Sequence, residues 1–190
     1  MWFDTRAVVL TSGCGFGSGE NISFDAALRA SEIADFNLIK VTSIVPPGVP
    51  VYRLANDGPE AIDGQGRMLP TVYAKVSSAI IGEQITAGIG LGVPADSERS
   101  GVIFFDEQRD GTEGQCVKGL ETMVAEGMTM LRRTDSYSFH CTSASAQRAA
   151  GMREWCTVLA AAAFLDEDLW RYFENRVVRL DAGGRTPPHI

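Results

Sequence analysis

Histidine and lysine are scarce in this chain and cysteine is never paired, which removes several chemistries before any motif is read. Only His140, His189, Lys40, Lys75 and Lys118 occur among 190 residues. A histidine-activated nucleophile or a lysine Schiff base therefore has few candidates. The four cysteines, Cys14, Cys116, Cys141 and Cys156, form no close pair. With so little histidine beside them, they argue against a metal site and a disulfide framework, and they read as small buried hydrophobes. No stretch approaches the roughly 20 apolar residues of a membrane span. Met1-Trp2-Phe3-Asp4 lacks the basic-then-apolar pattern of a secretory signal, so the expectation is a cytoplasmic protein with no membrane partner. Basic residues are also outnumbered, 17 against 24, for a net charge of −7. That balance disfavours nucleic acid as a partner and suits a cationic small molecule.

What is present suits one domain with a sizeable core, over residues 1–180, followed by a flexible tail, 181–190. Asn37-Leu38-Ile39-Lys40-Val41-Thr42-Ser43-Ile44-Val45-Pro46-Pro47-Gly48 carries the most information. Its β-branched run predicts a strand buried on both faces, ended by Pro46, which lacks an N–H. Thr42 and Ser43 inside such a strand either bond neighbouring carbonyls or do chemistry, because a buried hydroxyl without a partner costs about 1–3 kcal/mol. Asn37 on its own reads as a strand-start or turn residue, although its side-chain amide is also a donor of the kind an oxyanion needs.

Ala7 to Thr11 reads as a first strand running into Ser12-Gly13-Cys14-Gly15-Phe16-Gly17-Ser18-Gly19, whose spacing fails the dinucleotide fingerprint. Ser23 is the expected N-cap of a helix to about Asp35, which puts Asp25 in its first turn as a dipole partner or a ligand for a guanidinium. Val51 to Met68 reads as loop. Strands at Val72 to Ala79 and Gln84 to Val93 read as a hairpin turned near Gly82, with Ser77-Ser78 a second hydroxyl pair. A strand from Gly101 to Glu107, a helix from Thr112 to Met128, a strand from Asp135 to Thr142 and a helix from Glu167 to Arg179 complete the pattern.

The stretch Asn37, Thr42-Ser43-Ile44 and Pro46-Pro47 resembles the self-cleavage site of the pyruvoyl-dependent arginine decarboxylases. Phe24-Asp25-Ala26-Ala27-Leu28 and Gly82-Glu83-Gln84-Ile85-Thr86-Ala87 resemble two further segments of that family. The resemblance implies cleavage between Thr42 and Ser43 into a β chain (1–42) and an α chain (43–190), with Ser43 becoming a covalent pyruvoyl group. It further implies that Asn37 stabilises the oxyanion of cleavage and that Asp25 holds the substrate guanidinium. The implied reaction is decarboxylation of L-arginine to agmatine through a Schiff base on that carbonyl. The implied fold is α+β, a four-layer αββα sandwich assembled as a homotrimer of αβ protomers or a dimer of trimers, with its active sites between protomers. In the family, Cys156-Thr157-Val158-Leu159-Ala160-Ala161-Ala162-Ala163 corresponds to a strand, although alanine alone would predict helix.

One position departs from the family. Where the family places its proton-donating glutamate stands Phe105, and Glu107 lies on the same face of the predicted strand, about 7 Å along. Glu107 is the expected acid; Asp106 would reach that face only through a bulge, and an exposed strand end is the alternative for both. The departure keeps two further readings open: a pyruvoyl enzyme with another substrate, and a non-catalytic partner subunit.

Overall fold

The computed structural model describes residues 4–55, 62–130 and 136–180. Two sheets stack face to face, with helices on both outer faces. The first sheet has the order β10 (Val177–Arg179), β4 (Val51–Leu54), β1 (Ala7–Gly17), β9 (Trp155–Leu165), β5 (Met68–Ser78) and β2 (Asn37–Lys40). The second has the order β3 (Ile44–Val45), β7 (Gly101–Arg109), β6 (Gln84–Pro94) and β8 (Tyr137–Gln147). Helices α1 (Glu20–Ala30) and α3 (Glu167–Phe173) cover the first sheet, and α2 (Glu113–Met130) covers the second. The mixed α+β composition and the two-sheet sandwich match the expected fold class.

Strand β9 shows why alanine is strand here. It lies between β1 and β5 and is buried along almost its whole length. Val158, Ala160, Ala162 and Phe164 meet the core between the sheets, while Leu159, Ala161, Ala163 and Leu165 meet the helices. A strand enclosed on both faces needs small and apolar side chains, and that demand overrides alanine's helix propensity.

The glycine run also belongs to a strand. β1 continues through Gly17 and does not end near Thr11, because its glycines turn a bare face to α1. A Cβ at Gly13 would sit 2.8 Å from the Ala30 backbone, and one at Gly15 would sit 2.5 Å from the Ser23 carbonyl. Strand β6 repeats the device against α2, where a Cβ at Gly88 would sit 2.5 Å from Cys116 Sγ and one at Gly92 2.7 Å from Val124. Each helix thus rests directly on a backbone.

Several expectations need correction. Helix α1 starts three residues before Ser23, after Gly19, and Ser23 is buried within it, bonded to the Glu20 carbonyl and to Thr157 Oγ1. Asp25 therefore lies beyond the first turn, and its reading as a dipole partner fails. β5 and β6 form no hairpin, since they belong to different sheets and the chain crosses the sandwich between them. β4 occupies part of the expected loop; residues 56–61 of that loop lie outside the described residues, as does the tail. After α3 the chain forms β10, paired with β4, where a continuous helix was expected. Of the cysteines, Cys116 and Cys156 are buried as expected, whereas Cys141 is partly buried and Cys14 is exposed. Burial pushes the Cys116 thiol up to about 12 and the Cys156 thiol up to about 11, so neither is a nucleophile at neutral pH.

Candidate active site at a strand crossing

The strand expected over residues 38–45 is two strands. β2 runs parallel to β5 in the first sheet, with Lys40 opposite Thr71. β3 runs antiparallel to β7 in the second, with Ile44 opposite Val102 and Val45 opposite Gly101. Between them Val41-Thr42-Ser43 crosses from one sheet to the other, and the run is not buried on both faces: Ile39, Thr42 and Ile44 are exposed and Ser43 is half-buried. The apolar residues signalled β structure correctly but not the change of sheet. Val45, at 1 % exposure, and Val41 still face the core.

Both sides of the Thr42–Ser43 bond are held. The Ser43 carbonyl accepts the Ile103 N–H at 2.8 Å, and the Val41 N–H donates to the Thr71 carbonyl at 3.2 Å. Neither hydroxyl of the pair is bonded to a carbonyl among the described residues. The competing pair lies inside a strand, and both of its hydroxyls have side-chain partners. Ser77 and Ser78 lie within β5, laddered to Thr157 and Cys156 of β9; Ser77 Oγ bonds Thr157 Oγ1 at 2.9 Å, and Ser78 Oγ donates to Glu83. A small cavity of about 230 Å³ adjoins the crossing, lined by Thr5, Val41, Thr42, Ile44, Pro46, Pro70 and Phe164.

The crossing leaves an open edge. Beyond the short β2 and β3, the last residues of β5 and β7 lack strand neighbours on that side and are joined by side chains. Glu107 Oε1 accepts the Lys75 N–H at 2.9 Å, and Arg109 donates to the Ser77 carbonyl at 2.9 Å. Lys75 Nζ reaches Glu20 Oε1 at 3.0 Å and lies 4.7 Å from the Phe24 ring, so Glu107 connects through Lys75 to α1. That hydrogen bond and charge hold Glu20's carboxyl below its usual range. Glu20, Lys75, Ser77, Glu107, Arg109 and Trp155 line a groove of about 630 Å³. Phe105 is 46 % exposed on the same strand face as Glu107. Lys40 Nζ stands 5.4 Å from its ring and 4.7 Å from that of Tyr73. Scarcity marked Lys40 in the sequence, but no local pattern tied it to Tyr73 and Phe105, which come from other strands.

Not every expected site residue converges within one chain. Asn37 is exposed at the far end of β2, where its Nδ2 donates to the Gly66 carbonyl at 2.6 Å. Five residues of largely extended backbone, on the order of 15 Å, separate it from Thr42. Asp25 is exposed on α1, outside the groove. Among the described residues no group of three or more His, Cys, Asp or Glu is placed to hold a metal, and no helix is long and apolar enough to cross a membrane.

This geometry can be set beside known proteins. The sequence profile described as pyruvoyl-dependent arginine decarboxylase matches residues 7–169, most of the chain. The chain belongs to the pyruvoyl-dependent arginine decarboxylase family. It is 32 % identical over 125 residues to the enzyme of that name from Methanococcus vannielii, covering 66 % of this chain and 72 % of the relative. Identity is 31 % over 162 residues to pyruvoyl-dependent arginine decarboxylase 2 of Archaeoglobus fulgidus, covering 84 % and 96 %. It is 29 % over 164 residues to decarboxylase 1 of Methanosarcina mazei, covering 84 % and 95 %. As a family member the chain is a lyase whose prosthetic group is a covalent pyruvoyl. The residues at the crossing fit such a group: a serine with an unengaged hydroxyl, its carbonyl pinned from β7, in a segment fixed at both ends.

Proposed function

We propose that this protein cleaves itself between Thr42 and Ser43 and, with the pyruvoyl group so formed at residue 43, decarboxylates L-arginine to agmatine. The observation that carries this reading is the position of the bond, on a crossing anchored in both sheets beside an open edge. In the cleavage, Ser43 Oγ attacks the Thr42 carbonyl carbon, its proton passes to the Ser43 nitrogen, and the C–N bond breaks to leave an ester. Loss of the Ser43 Cα proton expels the Thr42 carboxylate, and water then replaces the nitrogen, releasing ammonia. The Ile103 N–H supports this by holding the Ser43 carbonyl still while the side chain attacks.

Once formed, the ketone supplies the electron sink that decarboxylation requires. In this reading Asp25 meets the guanidinium with a charge-assisted hydrogen bond, and Glu107, held by the Lys75 N–H, returns the proton to the carbon that loses carbon dioxide. The Asn37 amide stabilises the oxyanion of cleavage. Since Asn37, Asp25 and Ser43 do not meet within one chain, their joint action needs neighbouring protomers. That need, with the family membership, supports a homotrimer of αβ protomers, or a dimer of trimers, with sites between subunits.

The test is mass spectrometry of the purified protein together with release of labelled carbon dioxide from L-arginine. Two chains, 1–42 and 43–190, with the second blocked to Edman sequencing, are expected. Ser43→Ala should stay uncut, folded and inactive. A single 20.5 kDa species after prolonged incubation would refute self-cleavage, and a processed protein that leaves arginine intact would refute the substrate.

A further inference from the structure

Two aromatic rings contact an exposed cation three residues before the proposed cut. Lys40 ends β2, and its ammonium lies 4.7 Å from the Tyr73 ring and 5.4 Å from the Phe105 ring. Ring faces attract a cation without consuming its N–H donors, and among the described residues no carboxylate pairs with Lys40. The ammonium thus rests against two rings with donors still to give. Phe105, which forms one wall, has no hydrogen-bonding side chain of its own.

The register gives this cation a position relative to residue 43. The Ser43 carbonyl bonds Ile103, and Phe105 lies two residues farther on the same strand face, about 7 Å along. An amino acid whose amine sits at residue 43 carries a carboxylate which, with a hydrogen bond beyond it, also reaches roughly 7 Å. Building on the decarboxylase reading above, we propose that Tyr73 and Phe105 position Lys40 to bind the α-carboxylate of the amino-acid substrate. The same charge repels a guanidinium, so arginine enters with its carboxylate inward and its cationic end outward. Agmatine, having lost the carboxylate, faces the bare ammonium, which favours its release.

Calorimetric binding to the processed protein separates this role from others. The probes are 5-guanidinopentanoate, which has the guanidinium and carboxylate of arginine without the amine, and agmatine, which lacks the carboxylate. Lys40→Met should weaken the first by roughly 10-fold and leave the second unchanged or slightly tighter. Lys40→Arg, which keeps the charge and can stack on the rings, should restore most of the loss, and Phe105→Leu should give part of it. Equal weakening of both probes by Lys40→Met, or no weakening of either, overturns the assignment. If the unsubstituted protein binds neither guanidino compound, the arginine reading itself falls, an outcome separable from failure of Lys40 alone.

Discussion

Cutting the chain at Thr42–Ser43 should leave the two pieces inseparable in native buffer. Residues before the cut supply β1, α1 and β2, and β1 is an interior strand, laddered to β9 at all eleven of its positions and to β4 on its other side. Val8, Val9 and Leu10 of β1, with Leu28, Ile33 and Phe36, are each at most 9 % exposed. At about 1.5–3 kcal/mol for each large apolar side chain removed from water, these six contribute on the order of 10 kcal/mol, before the ladder hydrogen bonds are considered. Micromolar association requires about 8 kcal/mol net, and a fragment ordered within the folded chain before the cut does not have to be assembled from separate partners. Size-exclusion chromatography of the processed protein at about 1 μM should therefore give one peak, which denaturing electrophoresis resolves into two chains. Elution of the 1–42 fragment apart from the rest in native buffer would refute the interior placement of β1. Urea should release the fragment only in the same transition that unfolds the large chain.

Asp25→Asn should process normally but raise KM for arginine roughly 10-fold, the loss of one charged hydrogen bond, measured by initial rates; an unchanged KM would leave Asp25 an ordinary exposed helix residue. Glu107→Gln should also process normally while kcat falls about 10²–10⁴-fold, and full activity in that variant would exclude Glu107 as the proton donor. Gly15→Ala should destabilise the fold by about 1–3 kcal/mol in urea titration, because the added methyl meets the Ser23 carbonyl of α1 at 2.5 Å; stability equal to the parent would contradict the helix-on-strand contact.

Much of the α+β pattern was legible because it rests on local signals. The periodicity of Leu120, Val124 and Met128 marks α2, and these three residues are fully buried against β6 and β7. The β-branched runs at Val72 and Val102 mark strands that the structure contains. Partnership was less legible, because pairing is decided by residues far apart in the chain. A short turn around Gly82 between two strands reads as a hairpin, yet Ala79 to Glu83 carries the chain from one sheet to the other, and the two strands pair instead with β9 and β8. Likewise Ile39 and Ile44 looked like core residues of one strand. They are exposed because β2 and β3 each lie at the edge of a different sheet. At the candidate site, the Thr42–Ser43 pair stands out through its neighbours in sequence. The contacts of Lys40, Glu107 and Tyr73 do not, because each depends on how β5 and β7 meet across the sandwich.

That same crossing offers a physical reason why the proposed cleavage would fall at one hydroxyl pair and not the other. Breaking a bond inside β5, between Ser77 and Ser78, would cut a strand laddered to β9 and engage hydroxyls already committed to Thr157 and Glu83. A serine there would have to give up its partner before it could attack, at about 1–3 kcal/mol for a buried polar group left unsatisfied. Thr42–Ser43 lies between two ladders and inside neither, so the break removes no ladder hydrogen bond from either sheet. Its ends remain tied, residue 41 to Thr71 and residue 43 to Ile103, which keeps the new terminus at the edge where β5 and β7 present Lys75, Phe105 and Glu107. Because strands on both sides of the crossing are already laddered into their sheets, the proposed cleavage can follow folding, and a cut chain would keep the geometry of the uncut one.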